Sequence, residues 1–129
     1  MKLDYDFIKQ ILLTMENYHE HEINNYELIK LLNITADIED KFIGHILLMG
    51  DNELIDYCHT KYAFGFAKIP GCKGYKIIDD DYRITANGYE FLDILKNDTI
   101  LKKIKNFAIQ NAWEIGKQLI IESAKINML

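Results

Sequence analysis

Apolar residues recur every three or four positions over residues 3–15, which is the spacing of one buried face of an α-helix. This face consists of Leu3, Phe7, Ile8, Ile11, Leu12 and Met15. A helix also needs a side chain that accepts hydrogen bonds from its first backbone amides, and Asp4 or Asp6 meets this need. The pattern predicts a first helix that ends near Asn17, followed by a polar connection over residues 19–22.

Two shorter helices separated by a turn are predicted next. Asn24 or Asn25 caps the second helix. Asp37 caps the third, and Asp40 three residues later completes an arrangement like a capping box. Residues 33–36 have the length of the turn in a helix-turn-helix. The inward positions are Leu28, Leu31 and Leu32 in the second helix, and Ile38, Phe42, Ile46, Leu47 and Met49 in the third.

Extended segments follow the third helix. Residues 54–58 and 75–78 are predicted strands. Residues 62–74 between them contain three glycines and the single proline, so they form a long loop or the tip of a hairpin. Thr85 then caps a fourth helix over residues 86–96. The expected core contacts of this helix are Tyr89, Phe91, Leu92 and Leu95.

The remainder of the chain is predicted to be a helical tail that begins at Asp98. It either continues unbroken to about residue 125 or breaks near residues 110–111. The tail has too many apolar positions for a helix surrounded by water, so it packs on the rest of the chain or on a second copy. The first alternative places it against the first helix. The second is a homodimer whose interface contains Trp113, Ile115 and Leu119.

The order of these elements is helix, helix, turn, helix, strand, long wing, strand, helix. This is the order of a winged helix-turn-helix. We therefore expect a mainly α-helical α+β fold with a small β-hairpin. Residues 1–97 are expected to form the winged domain, and residues 98–129 a C-terminal helical extension that packs on it or mediates dimerisation.

Four segments carry a resemblance to a known family. Residues 1–12 match its opening pattern, and residues 45–55 match a helix-to-strand phrase with a leucine pair shifted by one position. Residues 83–93 contain its Thr-x-x-Gly-x-x-Phe-Leu-Asp phrase, and residues 98–99 supply an Asp-Thr pair. In these segments the chain resembles a small family of unknown function encoded in phages and prophages of bacteria. The resemblance implies a winged helix and no catalytic residue.

Charge is distributed unevenly along the chain. The net charge of −5 argues mildly against a nucleic-acid-binding protein. Residues 20–60 carry nine acidic residues and two lysines, whereas residues 61–76 carry four lysines and no acidic residue. The outer face of the third helix is expected to contain Asp37, Glu39, Asp40, Lys41 and His45. Its carboxylates oppose contact with DNA phosphates. Three interpretations stay open: this face is solvated, it enters the major groove of DNA, or it binds a protein partner.

The lysine-rich segment is the stronger nucleic-acid candidate because its lysines alternate with aromatic residues. Its candidate contacts are Lys61, Tyr62, Phe64, Phe66, Lys68, Lys73, Tyr75 and Lys76. Lysines follow a phosphate backbone, while aromatic rings stack on bases or enter a groove. In the alternative interpretation the rings cover the sheet and the lysines are merely solvated. The same rings are also suitable anchors for a protein partner.

Metal binding and catalysis are not expected. The potential soft-metal ligands are His19, His21, Cys58, His59 and Cys72. They lack the paired spacing of a zinc site, and two cysteines do not make a disulfide framework, so free thiols are expected. The carboxylates at residues 79–81 are expected to form a solvated turn. No nucleophile motif or phosphate-binding loop is present, so neither an enzyme nor a cofactor is expected.

Two functions are consistent with these patterns. The first is a phage- or prophage-type DNA-binding transcriptional regulator, in which the wing lysines contact the phosphates of double-stranded DNA and the third helix approaches the groove. The second is a non-enzymatic protein-binding module of phage origin, such as an anti-CRISPR-like inhibitor of a host defence or replication protein. Apolar runs are too short to cross a membrane, and the N-terminus lacks a signal-peptide pattern, so a cytoplasmic location is expected.

Overall fold

The computed structural model describes residues 1–127, which form a mixed α+β fold that is mostly helical. The helices are α1 (Tyr5–Asn17), α2 (Asn25–Leu31), α3 (Glu39–Asp51), α4 (Ala86–Lys96), α5 (Asp98–Ile104) and α6 (Ile109–Asn127). The strands are β1 (Glu22–Asn24), β2 (Ile55–Tyr57), β3 (Phe66–Lys68), β4 (Tyr75–Ile77) and β5 (Asp81–Ile84), with 3-10 turns at Ala36–Ile38 and Ala63–Gly65.

The strands form two separate antiparallel sheets. One has three strands in the order β1-β5-β2, and the other is the hairpin β3-β4. The central strand β5 buries Tyr82 and Ile84 and turns Asp81 and Arg83 to the other face, as the two-residue period of a strand requires. Its register places Tyr82 opposite both Ile23 and Tyr57.

This pairing corrects two expectations about the extended segments. Glu22 was expected at the end of a polar connection and no strand was expected before α2, yet Glu22–Asn24 form β1 because Ile23 is buried beside β5. Asn24 caps α2, as expected. The strand β2 was expected to pair with residues 75–78 across the wing, but its partner is β5. The hairpin β3-β4 is therefore a separate unit attached to the three-stranded sheet. Residues 61–77, which comprise a root at residues 61–66, the hairpin and its tip at residues 69–74, are called the wing below.

Helices α1 and α4 begin where the capping residues predict. The Asp4 carboxylate accepts the Phe7 amide proton at 3.0 Å, and the Thr85 hydroxyl accepts the Gly88 amide proton at 3.0 Å. A Cβ atom on Gly88 would collide with the Leu54 carbonyl oxygen. Glycine at this position therefore allows α4 to approach the chain that enters β2.

Three details of the helices differ from the sequence pattern. Asp37 lies in a 3-10 turn that Thr35 precedes, and α3 starts at Glu39 without a side-chain cap. Leu31 is 47 % exposed, because Leu28 of α2 and Leu32 directly after it occupy the buried side instead. Tyr89 is 46 % exposed because it precedes the buried Phe91 by two residues and so points away from the core side of α4.

The tail breaks at residues 105–108, slightly before the predicted position. Helix α6 packs on α4 and α5, whereas the first of the two alternatives had placed it against α1. The Trp113 ring lies 6.0 Å from the Phe91 ring, and its indole N–H donates to Glu90 at 2.9 Å. Ile115 and Leu119 are partly buried against the core. Residues 128–129 of the predicted extension lie outside the described residues.

The core lies between α1, α3, α4 and one face of the three-stranded sheet, and α5 closes one side of it. Its fully buried large side chains include Ile8, Ile11, Leu12, Phe42, Ile46, Tyr82, Phe91 and Leu92. None of the helices in residues 1–127 is both long enough and apolar enough to cross a membrane.

Candidate nucleic-acid interface

The wing combines an apolar root with a basic tip. In the register of β3 and β4, Lys68 lies opposite Tyr75 and Ala67 lies opposite Lys76. Because side chains alternate along a strand, Lys68 and Lys76 lie on opposite faces of the hairpin. Lys73 is in the tip that joins the strands, and Lys61 precedes the root. Three of the four lysines therefore lie on the hairpin and its tip, and Lys61 lies at the root of the wing.

The four wing lysines, Lys61, Lys68, Lys73 and Lys76, are exposed. None of them forms an ion pair with another residue of the described chain, and residues 61–76 contain no acidic residue. The Lys61 ammonium lies 5.2 Å from the centre of the Tyr62 ring. These charges are consequently free to meet an anionic partner.

Two of the predicted aromatic contacts belong to the core instead. Phe64 is 5 % exposed and lies between Tyr57 and Tyr82, with ring centres 4.8 and 5.3 Å away. Phe66 is also buried and packs against Phe42. Their rings cover the root of the wing and cannot stack on bases, as the alternative interpretation expected for the aromatic residues. Sequence alternation alone does not distinguish a ring at the root from a ring at the tip.

Tyr62 and Tyr75 remain at the surface of the wing. Tyr62 is 40 % exposed, and Tyr75 is half-buried with its ring 6.3 Å from that of Phe66. The candidate interface therefore consists of four lysines and two tyrosines.

The turn at the root of the wing is tight. Phe64 has a φ of 57° and Gly65 a φ of 78°, and a Cβ atom on Gly65 would collide with the Ile78 carbonyl oxygen. The Gly65 carbonyl accepts the Ile78 amide proton at 2.7 Å. The hydroxyl of Tyr82 donates to the Phe64 carbonyl at 2.5 Å. These contacts attach the wing to the strand β5.

The start of α3 presents a strongly acidic surface. Asp37, Glu39 and Asp40 are exposed in the 3-10 turn and the first helical turn. We call these three residues the acidic face. Lys41, the one lysine of this helix, donates to Asp4 at 2.7 Å, so its charge is already paired. Burial of Asp4 favours its neutral form, but the hydrogen bonds from Lys41 and the Phe7 amide outweigh burial and lower the pKa of Asp4.

His45 corrects the expectation that it lies on the outer face of α3. It is fully buried, and its Nε2 accepts the Asp4 amide proton at 2.9 Å while Nδ1 lies 2.8 Å from the Lys41 carbonyl oxygen. Nδ1 therefore carries the proton and donates to Lys41. Burial lowers the pKa of His45, in agreement with a neutral imidazole that connects α3 to the start of α1. The ring is inaccessible to DNA or to a protein partner.

A second group of polar side chains lies at one end of the three-stranded sheet. Ligand atoms of Glu22, Cys58 and His59 lie within 4.8 Å of one another. The Cys58 thiol is 3.5 Å from a Glu22 carboxylate oxygen, and His59 Nε2 is 3.0 Å from Asp81 Oδ2. We call these four residues the sheet-end cluster. Partial desolvation, followed by Glu22 and the nearby Asp80 and Asp81 carboxylates, raises the pKa of Cys58 to about 11.

Sequence spacing missed this cluster because its members come from three distant segments. β1 carries Glu22, the chain after β2 carries Cys58 and His59, and β5 between them carries Asp81. The second cysteine of the chain, Cys72, is in the wing tip. Both cysteines are exposed free thiols, as expected. The sequence contained one signal for this cluster, which is the adjacent Cys58-His59 pair directly after a strand. The strand order is needed to show that Glu22 and Asp81 lie beside this pair.

Asp80 supports the chain beneath the sheet-end cluster. Its side chain was expected in a solvated turn, but it is 1 % exposed. Its Oδ1 accepts the amide protons of Cys58, His59 and Asp81 at 3.1, 2.9 and 2.8 Å. The carboxylate thereby fixes the backbone that carries the thiol and the imidazole.

Comparison with known proteins identifies a family for this chain. No curated protein and no solved structure gave a match. A family model described as hypothetical protein (DUF2513) matches residues 2–114 of the 129. This match includes every helix and strand up to the beginning of α6. The chain therefore belongs to the DUF2513 family of hypothetical proteins.

Proposed function

We propose that this chain is a winged-helix protein that binds double-stranded DNA through its wing, as a transcriptional regulator of the phage or prophage type. The observation that carries the proposal is the set of four exposed, unpaired wing lysines without a neighbouring acidic residue in residues 61–76. Lysine contacts to phosphates provide most of the affinity of non-specific DNA binding. The proposed function is binding without catalysis and requires no cofactor.

The order of elements supports the winged-helix part of the proposal. Three helices precede β2, the wing follows, and β5 leads directly into α4. In such proteins the third helix commonly enters the major groove. Here the acidic face and the paired Lys41 make that approach unfavourable. We therefore assign the main contact to the wing, where Lys68 and Lys76 extend from its opposite faces to meet phosphates along the groove edge.

Salt dependence of DNA affinity tests this assignment. The full chain is titrated onto a fluorescently labelled random-sequence duplex, and anisotropy gives the association constant at several salt concentrations. Lys68→Gln with Lys76→Gln removes two phosphate contacts. The slope of log association constant against log salt should become less steep by about 1.8, at about 0.9 per lost contact.

The matched control is Lys102→Gln with Lys103→Gln. These lysines are exposed on α5, away from the wing, and the double variant has the same net charge. The control should keep the affinity and slope of the original chain. Equal losses in both double variants would mean that only net charge matters, and an affinity independent of salt would exclude phosphate contacts. Either result overturns the proposal.

A second candidate function is recognition of a basic protein surface by the acidic face. It is favoured by the three exposed carboxylates and by the ion pair that neutralises Lys41. The partner in this case is a host or phage protein, and the chain acts as an inhibitor or adaptor.

Charge reversal separates the two functions. Asp37→Lys, Glu39→Lys and Asp40→Lys together remove the acidic face and should strengthen DNA binding, because three repulsive charges become attractive. If the acidic face binds a protein, the same variant should lose a stoichiometric partner that the original chain retains from nuclease-treated bacterial lysate. The control reverses Asp93, Glu114 and Glu122, which are exposed on α4 and α6. Loss of the partner in this control as well would contradict recognition by the acidic face.

A further inference from the structure

The sheet-end cluster has the composition of a metal site. It contains one thiol, one imidazole and two carboxylates, contributed by Cys58, His59, Glu22 and Asp81. Thiolate and imidazole ligands select zinc over magnesium or calcium, which prefer oxygen ligands alone. Bonds of about 2.0–2.3 Å in a tetrahedron place neighbouring ligand atoms about 3.3–3.8 Å apart. The ligand atoms of Glu22, Cys58 and His59 lie at most 4.8 Å from one another. These separations exceed the ligand-to-ligand distances of a tetrahedral zinc site by no more than about 1 Å.

The strand order produces this convergence. Cys58 follows β2, and its amide proton is donated to the Asp81 carbonyl across the sheet at 3.1 Å. Glu22 begins β1 on the other side of β5, opposite Arg83. The face that buries Tyr82 and Ile84 packs on the core, so Asp81 and Arg83 lie on the face open to solvent. A cation can reach the cluster from that side without opening the fold.

The backbone beneath the cluster is already ordered. The buried Asp80 carboxylate accepts the amide protons of both Cys58 and His59. Little backbone entropy is therefore lost when these two ligands close on an ion, whereas the side chains of Cys58 and His59 are exposed and can rotate into place. Such preorganisation is a general requirement for an effective site.

We propose that the sheet-end cluster binds Zn²⁺ through the Glu22 carboxylate, the Cys58 thiolate and the His59 imidazole, with Asp81 completing the set of four donor groups. Binding releases the thiol proton of Cys58 to solvent and forms a zinc–sulfur bond, without oxidation or reduction. The negative charge that Glu22 and Asp81 place around the thiol is compensated by the ion. A bound ion links β1, β5 and the end of β2, so it should stabilise the sheet.

Cobalt binding provides a direct test, because Co²⁺ occupies zinc sites and reports on its ligands by absorption. The reduced full chain, freed of metal with a chelator, is titrated with Co²⁺ and then with Zn²⁺. A thiolate-to-cobalt charge-transfer band and the intense visible bands of a tetrahedral site should appear with one equivalent, and Zn²⁺ should displace them. Zn²⁺ should also raise the melting temperature of the chain.

The two free cysteines supply the matched comparison. Cys58→Ser should abolish the charge-transfer band and the thermal shift, while Cys72→Ser in the wing tip should leave both unchanged. His59→Gln should weaken Zn²⁺ affinity at least tenfold, whereas His19→Gln at an exposed position of the connection after α1 should not. Serine and glutamine at these exposed positions preserve folding, which far-ultraviolet circular dichroism verifies.

Several results would overturn the zinc site. The band persisting in Cys58→Ser, or disappearing equally in Cys72→Ser, would mean that other or intermolecular ligands bind the cobalt. Binding only at millimolar Zn²⁺ without a thermal shift would indicate an adventitious ion only. DNA affinity is measured separately with and without chelator, so failure of the zinc site and failure of the wing assignment give different outcomes.

Discussion

At the scale of single residues, Asp80 is the clearest example of a polar group with a structural role. Its carboxylate lies under the surface and accepts four backbone amide protons, from Cys58, His59, Thr60 and Asp81. The neighbouring Asn25 is also buried, and its side-chain oxygen accepts the Asp80 amide proton at 3.3 Å. Together they satisfy the polar groups where β1, β5 and the chain after β2 meet. Hydrogen bonds to a charged acceptor are among the stronger ones in proteins.

Removing this carboxylate should destabilise the chain substantially. In Asp80→Ala the amides of His59 and Asp81 lose their acceptor, while the Cys58 amide keeps only the Asp81 carbonyl, so we expect the free energy of unfolding to fall by about 3 kcal/mol or more. Urea denaturation followed by circular dichroism measures this change. Asp93→Ala, at an exposed position of α4, serves as the control and should stay within about 0.5 kcal/mol of the original chain. A small effect of Asp80→Ala would mean that water replaces the carboxylate.

At the scale of elements, the helices were more predictable from sequence than the strands. The caps Asp4 and Thr85 act on amides three residues away, so the information that starts α1 and α4 is local. The pairing of β5 with β1 and β2 joins segments more than twenty residues apart, and no local pattern specifies it. Short polar strands such as β1, with a single buried side chain at Ile23, resemble a connection when seen alone.

The same distinction applies to the candidate sites. The exposed lysines of the wing were identified from sequence because charge is exposed almost regardless of fold. The burial of Phe64, Phe66 and His45 could not be identified from sequence. Aromatic and histidine side chains occur both in cores and on surfaces, and only tertiary packing determines which of the two applies. The sheet-end cluster required the strand order, which brings Glu22 and Asp81 to the Cys58-His59 pair.

At the scale of the whole molecule, the C-terminal helices are part of the packing of the chain. Helix α5 buries Ile100, Leu101 and Ile104, and α6 buries Ile109 and Ala112 near its start. The Tyr5 hydroxyl donates to the Phe107 carbonyl at 2.5 Å, which joins α1 to the connection between α5 and α6. Burial raises the pKa of Tyr5 to about 12, so this hydroxyl remains a donor at neutral pH.

Truncation tests how far residues 1–97 fold without the extension. Removing residues 98–129 exposes the apolar sides of α1 and α4, and each large side chain that loses its burial costs about 1.5–3 kcal/mol. We expect the free energy of unfolding to fall by at least about 3 kcal/mol. Removing residues 122–129, which begin in an exposed stretch, should change it by less than about 1 kcal/mol. Equal stability of the longer truncation and the full chain would show that residues 1–97 are an independent unit.

The division of the wing into a buried root and an exposed tip has an evolutionary consequence. Substitutions of Phe64 or Phe66 alter the core and are selected against through folding, whichever partner the chain has. Residues 69–74 are exposed and leave most substitutions free, since a Cβ atom on Gly74 would meet no other atom, although the positive φ of Gly71 favours glycine at that one position. Sequence change can therefore accumulate in the tip while the scaffold persists, so related chains can differ at the tip and keep the same fold.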